Sequence, residues 1–186
     1  MGGKFLLVFL VVGMIGAFVL GSTASAHAQH PDGPGITNIE GGLGLGTEPC
    51  CGLGTSFGLS IGVAFYHVQD IEIRTDISYF NWDKGKKEFR RIPFIFSGRY
   101  YPAMRDNNLK VYVQGGLGLS FDRRENNSCF KFVSCSDSET NLDLVPAAGV
   151  LFEVSPGFDI GGELAVHITD ESYFTLMFKA SMAVGN

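Results

Sequence analysis

The sequence predicts an all-β chain closed into an eight-stranded antiparallel transmembrane β-barrel, and three observations predict it. Beyond position 28 no apolar run approaches the roughly 18 residues of a membrane-spanning helix. Stretches of about 10 residues alternate in polarity instead, separated by turn residues, which is the pattern of barrel strands. The bulky apolar side chains keep to one parity along these stretches, while glycine, serine and charge keep to the other. In "KVYVQGGLGLSF", for instance, Tyr112, Gln114, Gly116, Gly118 and Ser120 share one face and Val113, Gly115, Leu117, Leu119 and Phe121 the opposite one.

The N-terminal segment 1–28 reads as a secretory signal peptide. Lys4 precedes an apolar run from Phe5 to Leu20, and small residues close it. Ala24-Ser25-Ala26 and Ala26-His27-Ala28 both offer small-x-small cleavage geometry, so the mature chain is expected to start near His27 or Gln29. A single membrane anchor is the alternative for so short a run. No cysteine directly follows the run, which argues against lipid attachment there. Residues 29–37, with "HPDGPG", read as a short periplasmic leader, and 38–186 as the barrel. The full chain carries 14 basic and 19 acidic residues, a net charge of −5, and its Lys and Arg are mostly scattered. Nucleic acid is therefore not an expected partner.

Alternation assigns the faces strand by strand. In "IEIRTDISYFNW", Ile71, Ile73, Ile77 and Tyr79 lie opposite Glu72, Arg74, Asp76 and Ser78. The same parity turns Phe57, Leu59, Ile61, Val63 and Phe65 outward on the second strand, and Ile92, Phe94, Phe96 and Tyr100 on the fourth. It does so for Leu142, Leu144, Val150 and Phe152 on the sixth, and for Ile160, Leu164, Val166 and Ile168 on the seventh. On the eighth the outward set is Phe174, Leu176, Phe178, Met182 and Val184. A soluble barrel would turn these bulky groups inward around a hydrophobic ligand, but eight strands leave an interior just wide enough for side chains. Small and charged residues suit that interior better. Glu40, Glu72, Asp76, Glu153, Asp159 and Glu163, with Arg74, Arg91, Arg99, His167 and Lys179, are accordingly expected to face the lumen. Buried charges must be paired, so they are expected to form a salt-bridge network that plugs it, leaving a small ion channel as an alternative.

The connections "HVQD", "PAMRDNN" and "VSPG" after even strands read as short periplasmic turns, and the segment 122–141 as a long outer loop. Interfacial aromatic girdles are expected from Tyr66, Tyr100 and Tyr101 at one end and Tyr79, Trp82, Phe121 and Phe174 at the other. Cys50 and Cys51 fall in the first outer loop and Cys129 and Cys135 in the third. Disulfides are expected in an oxidising compartment, with Cys129 to Cys135 or first loop to third loop both open. The spacing lacks the Cys-x-x-Cys pattern of a zinc site, and no cofactor is expected.

The stretches "RRIPFIFSGRYYP", "LKVYVQGGLGLSF" and "AAGVLFEVSPGFDIGGELAVHI" resemble the outer-membrane β-barrel family related to the barrel of outer-membrane protein A. The resemblance covers positions 37–184. Carried over, Tyr112, Gly116 and Gly118 match its glycine-rich strand, Gly149 and Glu153 the strand after the long loop, and Glu163 the inward acid beyond the turn. The resemblance implies a monomeric protein in the outer membrane of a Gram-negative bacterium. Its expected partners are membrane lipid, lipopolysaccharide and the outer-membrane assembly machinery. It also implies a non-enzymatic, envelope-structural or surface-interaction role. The alternative is a lipid A-modifying acyl hydrolase: "AVHITDES" resembles the lipid A deacylases, whose serine follows the histidine two places on, although here Thr169 holds that place after His167 and Ser172 lies beyond. The basic cluster Lys84, Lys86, Lys87, Arg90 and Arg91 could meet lipopolysaccharide phosphates.

Overall fold

A computed structural model describes residues 36–47, 54–68, 70–84, 87–102, 108–126 and 135–184. The expected signal peptide and most of the leader lie outside them. So do Cys50, Cys51 and Cys129, and of Cys135 only the backbone is described.

Eight strands follow one another in chain order: β1 (Asn38–Thr47), β2 (Thr55–Val68), β3 (Ile71–Lys84), β4 (Lys87–Tyr100), β5 (Leu109–Asn126), β6 (Cys135–Ser155), β7 (Phe158–His167) and β8 (Tyr173–Ala183). Each pairs antiparallel with the next, and β1 pairs with β8 from Asn38↔Ala183 to Thr47↔Phe174, closing the barrel. We call the end where β1 starts and β8 stops the near end and the opposite one the far end. The β6–β7 turn at the near end is built on Pro156 and Gly157, whose φ of 78 suits the glycine of a proline-glycine turn.

The outer wall is apolar. Phe96 is 57% exposed, Leu117 54% and Leu176 58%, in a belt continued by Phe57, Ile77, Leu144, Phe152 and Leu164. The arrangement with these bulky groups around an internal ligand is thereby excluded. Bulky outward residues leave room inside only because the inner wall is small in places. A Cβ at Gly62 would collide with the Arg74 and Asp76 side chains, and one at Gly58 with the Phe80 ring.

Two prolines interrupt the hydrogen-bond ladder, each on one side. The β3–β4 pairing passes from Ile77↔Phe94 to Phe80↔Arg91 without the rungs at Pro93, while Pro93 remains opposite Ser120 on β5. The β6–β7 pairing stops at Ala147↔Ala165 and resumes as the single bridge Leu144↔Ile168 beyond Pro146. Proline has no N–H to donate, and two residue pairs drop out of the ladder at each seam.

Two sequence expectations change. The segment 122–141 is largely strand: β5 and β6 stay paired to Asn126↔Cys135. The apolar alternation stops where both faces become wet, and the ladder does not. Trp82 is no girdle residue; it is 1% exposed and points into the lumen, as its parity with Glu72 and Arg74 requires. Tyr101 also turns inward, toward Arg99 and Glu72. Tyr79, Tyr100, Phe121 and Phe174 do face outward. The side chain of Tyr66 is outside the described set.

At the far end β6 overhangs. It runs for 21 residues against 10 for β7, so beyond Leu144 its backbone pairs with β5 alone among the described residues.

Candidate functional site in the barrel lumen

The near half of the lumen is an ion cluster built around Glu40 of β1. Its carboxylate accepts from Arg74 of β3 at 2.8 Å, Arg99 of β4 at 3.0 Å and Lys179 of β8 at 3.1 Å. Glu163 of β7 forms a second node, with Lys179 at 3.2 Å, Arg99 at 3.3 Å and the Tyr112 hydroxyl donating at 2.9 Å. Arg74 is further held by Asp76 at 2.7 Å and Glu72 at 3.2 Å, and Asn38 donates to Glu72 at 3.0 Å. Arg99 donates its Nε to Gln114 and lies over the Tyr112 ring, 3.9 Å from its centroid. Gly149 leaves space for that ring, which a Cβ there would strike. The carboxylates of Glu40, Glu72, Asp76 and Glu163 nearly balance Arg74, Arg99 and Lys179, and burial without such pairing would be costly.

The far half is organised differently. Phe80, Trp82, Phe89, Tyr173 and Met177 form an aromatic-rich cluster, with Trp82 edge-on to Tyr173 at 5.6 Å. Below it His167 stacks on Tyr173 at 4.2 Å, and its Nδ1 meets Asp143 at 2.9 Å. In the same half Arg91 grips Asp122 through two bonds of 2.6 Å and donates to the Glu171 carbonyl at 2.9 Å. Arg124 meets the Glu171 side chain at 2.7 Å, so arginines of β4 and β5 both hold the β7–β8 turn. Between the two halves, Ile95, Val145 and Ala165 make a small apolar layer.

The structure thus brings Glu40, Glu72, Arg74, Asp76, Arg99, Glu163 and Lys179 into one cluster and separates the other expected members. Arg91 and His167 face the lumen in the far half with partners of their own. Glu153 and Asp159 correct the expectation of a single network: they sit at the near rim with Lys110, at 3.6 Å and 2.9 Å, and are partly exposed. They lie beside the β6–β7 turn, where the lumen opens. Sequence reasoning missed Asp122, Asp143 and Lys110. Lys110 and Asp122 share the inward parity of Tyr112 and Asp143 opposes the outward Leu142 and Leu144, so the signal was present.

Of the basic cluster, Arg91 is buried in the lumen and Arg90 is bound to Glu88 at 2.9 Å. The side chains of Lys84, Lys86 and Lys87 lie outside the described set. Among the described residues no hydroxyl is hydrogen-bonded to His167. Ser120 donates to Asp143 at 2.7 Å and so bonds the acid, Ser172 donates to the Thr169 carbonyl at 3.0 Å, and the buried Thr169 hydroxyl bonds no protein group. A histidine can activate only a hydroxyl within its reach. Among the described residues no group of His, Cys, Asp and Glu is arranged to hold a metal ion.

No family model matches this chain, and no curated protein matches it in sequence. Its fold does resemble solved outer-membrane barrels. The attachment invasion locus protein Ail of Yersinia pestis superposes with a TM-score of 0.55 at 13% identity, over 83% of this chain and 100% of that one. Neisserial surface protein A gives 0.55 at 17% identity, over 80% and 95%. A major outer-membrane protein of Thermus thermophilus gives 0.57 at 10% identity, over 78% and 99%. At such identities the likeness is one of fold: an eight-stranded antiparallel closed barrel.

Proposed function

We propose that the chain is a non-enzymatic barrel of the outer membrane of a Gram-negative bacterium, related to the barrel family of outer-membrane protein A. Its role is envelope-structural or surface-interacting. The observation that carries this reading is the inversion of polarity across the wall: a bulky apolar belt outside and a paired ion cluster centred on Glu40 inside. Lipid satisfies the first, and only a closed ladder meets the backbone's needs in lipid. The second fills the bore and argues against a channel. The hydroxyl geometry around His167 argues against an acyl hydrolase.

In this reading 1–28 is cleaved after export, 29–37 lies in the periplasm at the near end, and the far end faces outward. The barrel is monomeric, carries no cofactor, reaches the membrane through the assembly machinery and meets lipopolysaccharide there. Cys50, Cys51 and Cys129 of the outer loops and Cys135 at the start of β6 form disulfides. The attachment role in the name of the Yersinia pestis protein favours the surface-interaction branch. A deletion strain tests the whole. Leakiness or detergent sensitivity, with unaltered lipid A mass spectra and no single-channel conductance of the purified barrel, is expected. Altered acylation or steady conductance would overturn the reading.

A further inference from the structure

The overhang of β6 leaves a strand edge with nothing beside it among the described residues. Leu144 both donates to and accepts from Ile168, at 3.1 and 2.8 Å, which fixes the direction of the ladder on that side. In an antiparallel strand the residues whose N–H and C=O point to one neighbour recur every second position. Leu142, Thr140, Ser138 and Ser136 therefore direct their backbone groups to the β7 side, where β7 has already ended. The odd residues 137–143 bond to β5. Positions 136–140 are exposed on both faces.

We propose that this edge is a β-addition site for an extended peptide segment carrying Lys or Arg at alternate positions. An open edge is a template for a further strand, with affinity from the main chain and specificity from the side chains flanking it. On one face those side chains are hydroxyls, Ser136, Ser138 and Thr140. On the other they are acids, Asp137 and Glu139. Arg124 stands across from Asp137, but its guanidinium goes to Glu171 at 2.7 Å and reaches Glu139 only at 3.9 Å. An added strand would also run toward the turn that holds Asp170, more negative charge. The same pattern turns away a second copy of this chain. Two β6 edges related by a twofold axis near Ser138 would set Asp137 against Glu139 of the other copy, and like charges opposite one another repel.

This inference deepens the surface-interaction reading and rests on it. The test uses the full chain refolded in detergent micelles, with fluorescent peptides of alternating Lys and Thr or alternating Glu and Thr. The basic peptide is expected to bind and to slow amide exchange at Ser136, Ser138, Thr140 and Leu142. Ser138→Pro removes an edge N–H and no bond to β5, so it should weaken binding by about tenfold or more while the unheated gel mobility of a folded barrel is kept. Asp137→Lys with Glu139→Lys should weaken it comparably, and peptide N-methylated at alternate residues should not bind. These two controls decide the matter if the proline variant fails to fold. Equal binding of the acidic peptide, binding untouched by N-methylation, absence of amide protection in the folded wild type, or self-association through this edge would each overturn the proposal. Conductance or lipid A hydrolysis would sink the functional reading and leave these peptide results standing.

Discussion

The two halves of the lumen fill the same bore by opposite means. Near the termini, charges from β1, β3, β4, β7 and β8 converge on Glu40 and Glu163, so each ion holds several partners. In the far half aromatic packing does most of the filling, and the ion pairs are local: Arg91 with Asp122, His167 with Asp143. A shared ion makes the near half sensitive to any single deletion, because removing it takes one bond from each of several buried partners at once. A packed cluster instead loses only what the missing atoms contributed.

The largest effect is expected at Glu40. Glu40→Gln leaves Arg74, Arg99 and Lys179 without their common partner and should cost about 3–5 kcal/mol, read from urea unfolding in lipid vesicles by unheated gel mobility. Adding Lys179→Met should deepen the loss, since Glu163 then loses its Lys179 partner as well. Trp82→Ala should cost roughly 3 kcal/mol through the cavity it leaves among Phe80, Phe89 and Tyr173, and the loss should not respond to salt. If Trp82→Ala proved the more damaging of the two, the contrast between the halves would fail. Gly62→Val pushes a side chain into the Arg74–Asp76 pair and should cost about 1–3 kcal/mol by the same assay. Smallest of all, Lys110→Ala breaks partly exposed rim pairs with Asp159 and Glu153 and should cost less than about 1 kcal/mol. A rim loss matching that of Glu40→Gln would show that sharing of ions is not what sets the scale.

Alternation made the facing of Glu40, Arg74 and Phe96 legible, because a strand has two sides and a period of two. Partner choice was not legible. Arg74 and Glu40 lie 34 positions apart and meet only because β1 and β3 curve around the same bore. Trp82 was assigned to a girdle from its residue type, although its parity already pointed inward. The far ends of β5 and β6 escaped notice for a different reason. Once both faces meet water, "RREN" and "SDSET" carry no polarity pattern, and only the register with the neighbouring strand keeps them extended. The split of Glu153 and Asp159 from the central cluster depends on depth along the axis, which parity does not encode.

A closed sheet has no free end from which to unravel, so its lifetime depends on whichever junction lets go first. Pro93 and Pro146 mark the candidates. Between them β4, β5 and β6 form one uninterrupted stave, and β7, β8, β1, β2 and β3 form the other. Each junction between the staves lacks residue pairs in the middle of the wall, where a proline has no N–H to donate. The barrel is therefore hooped unevenly: parting along β3–β4 or β6–β7 meets less resistance than parting elsewhere, and the arrangement of two residues without an N–H decides where the wall would open.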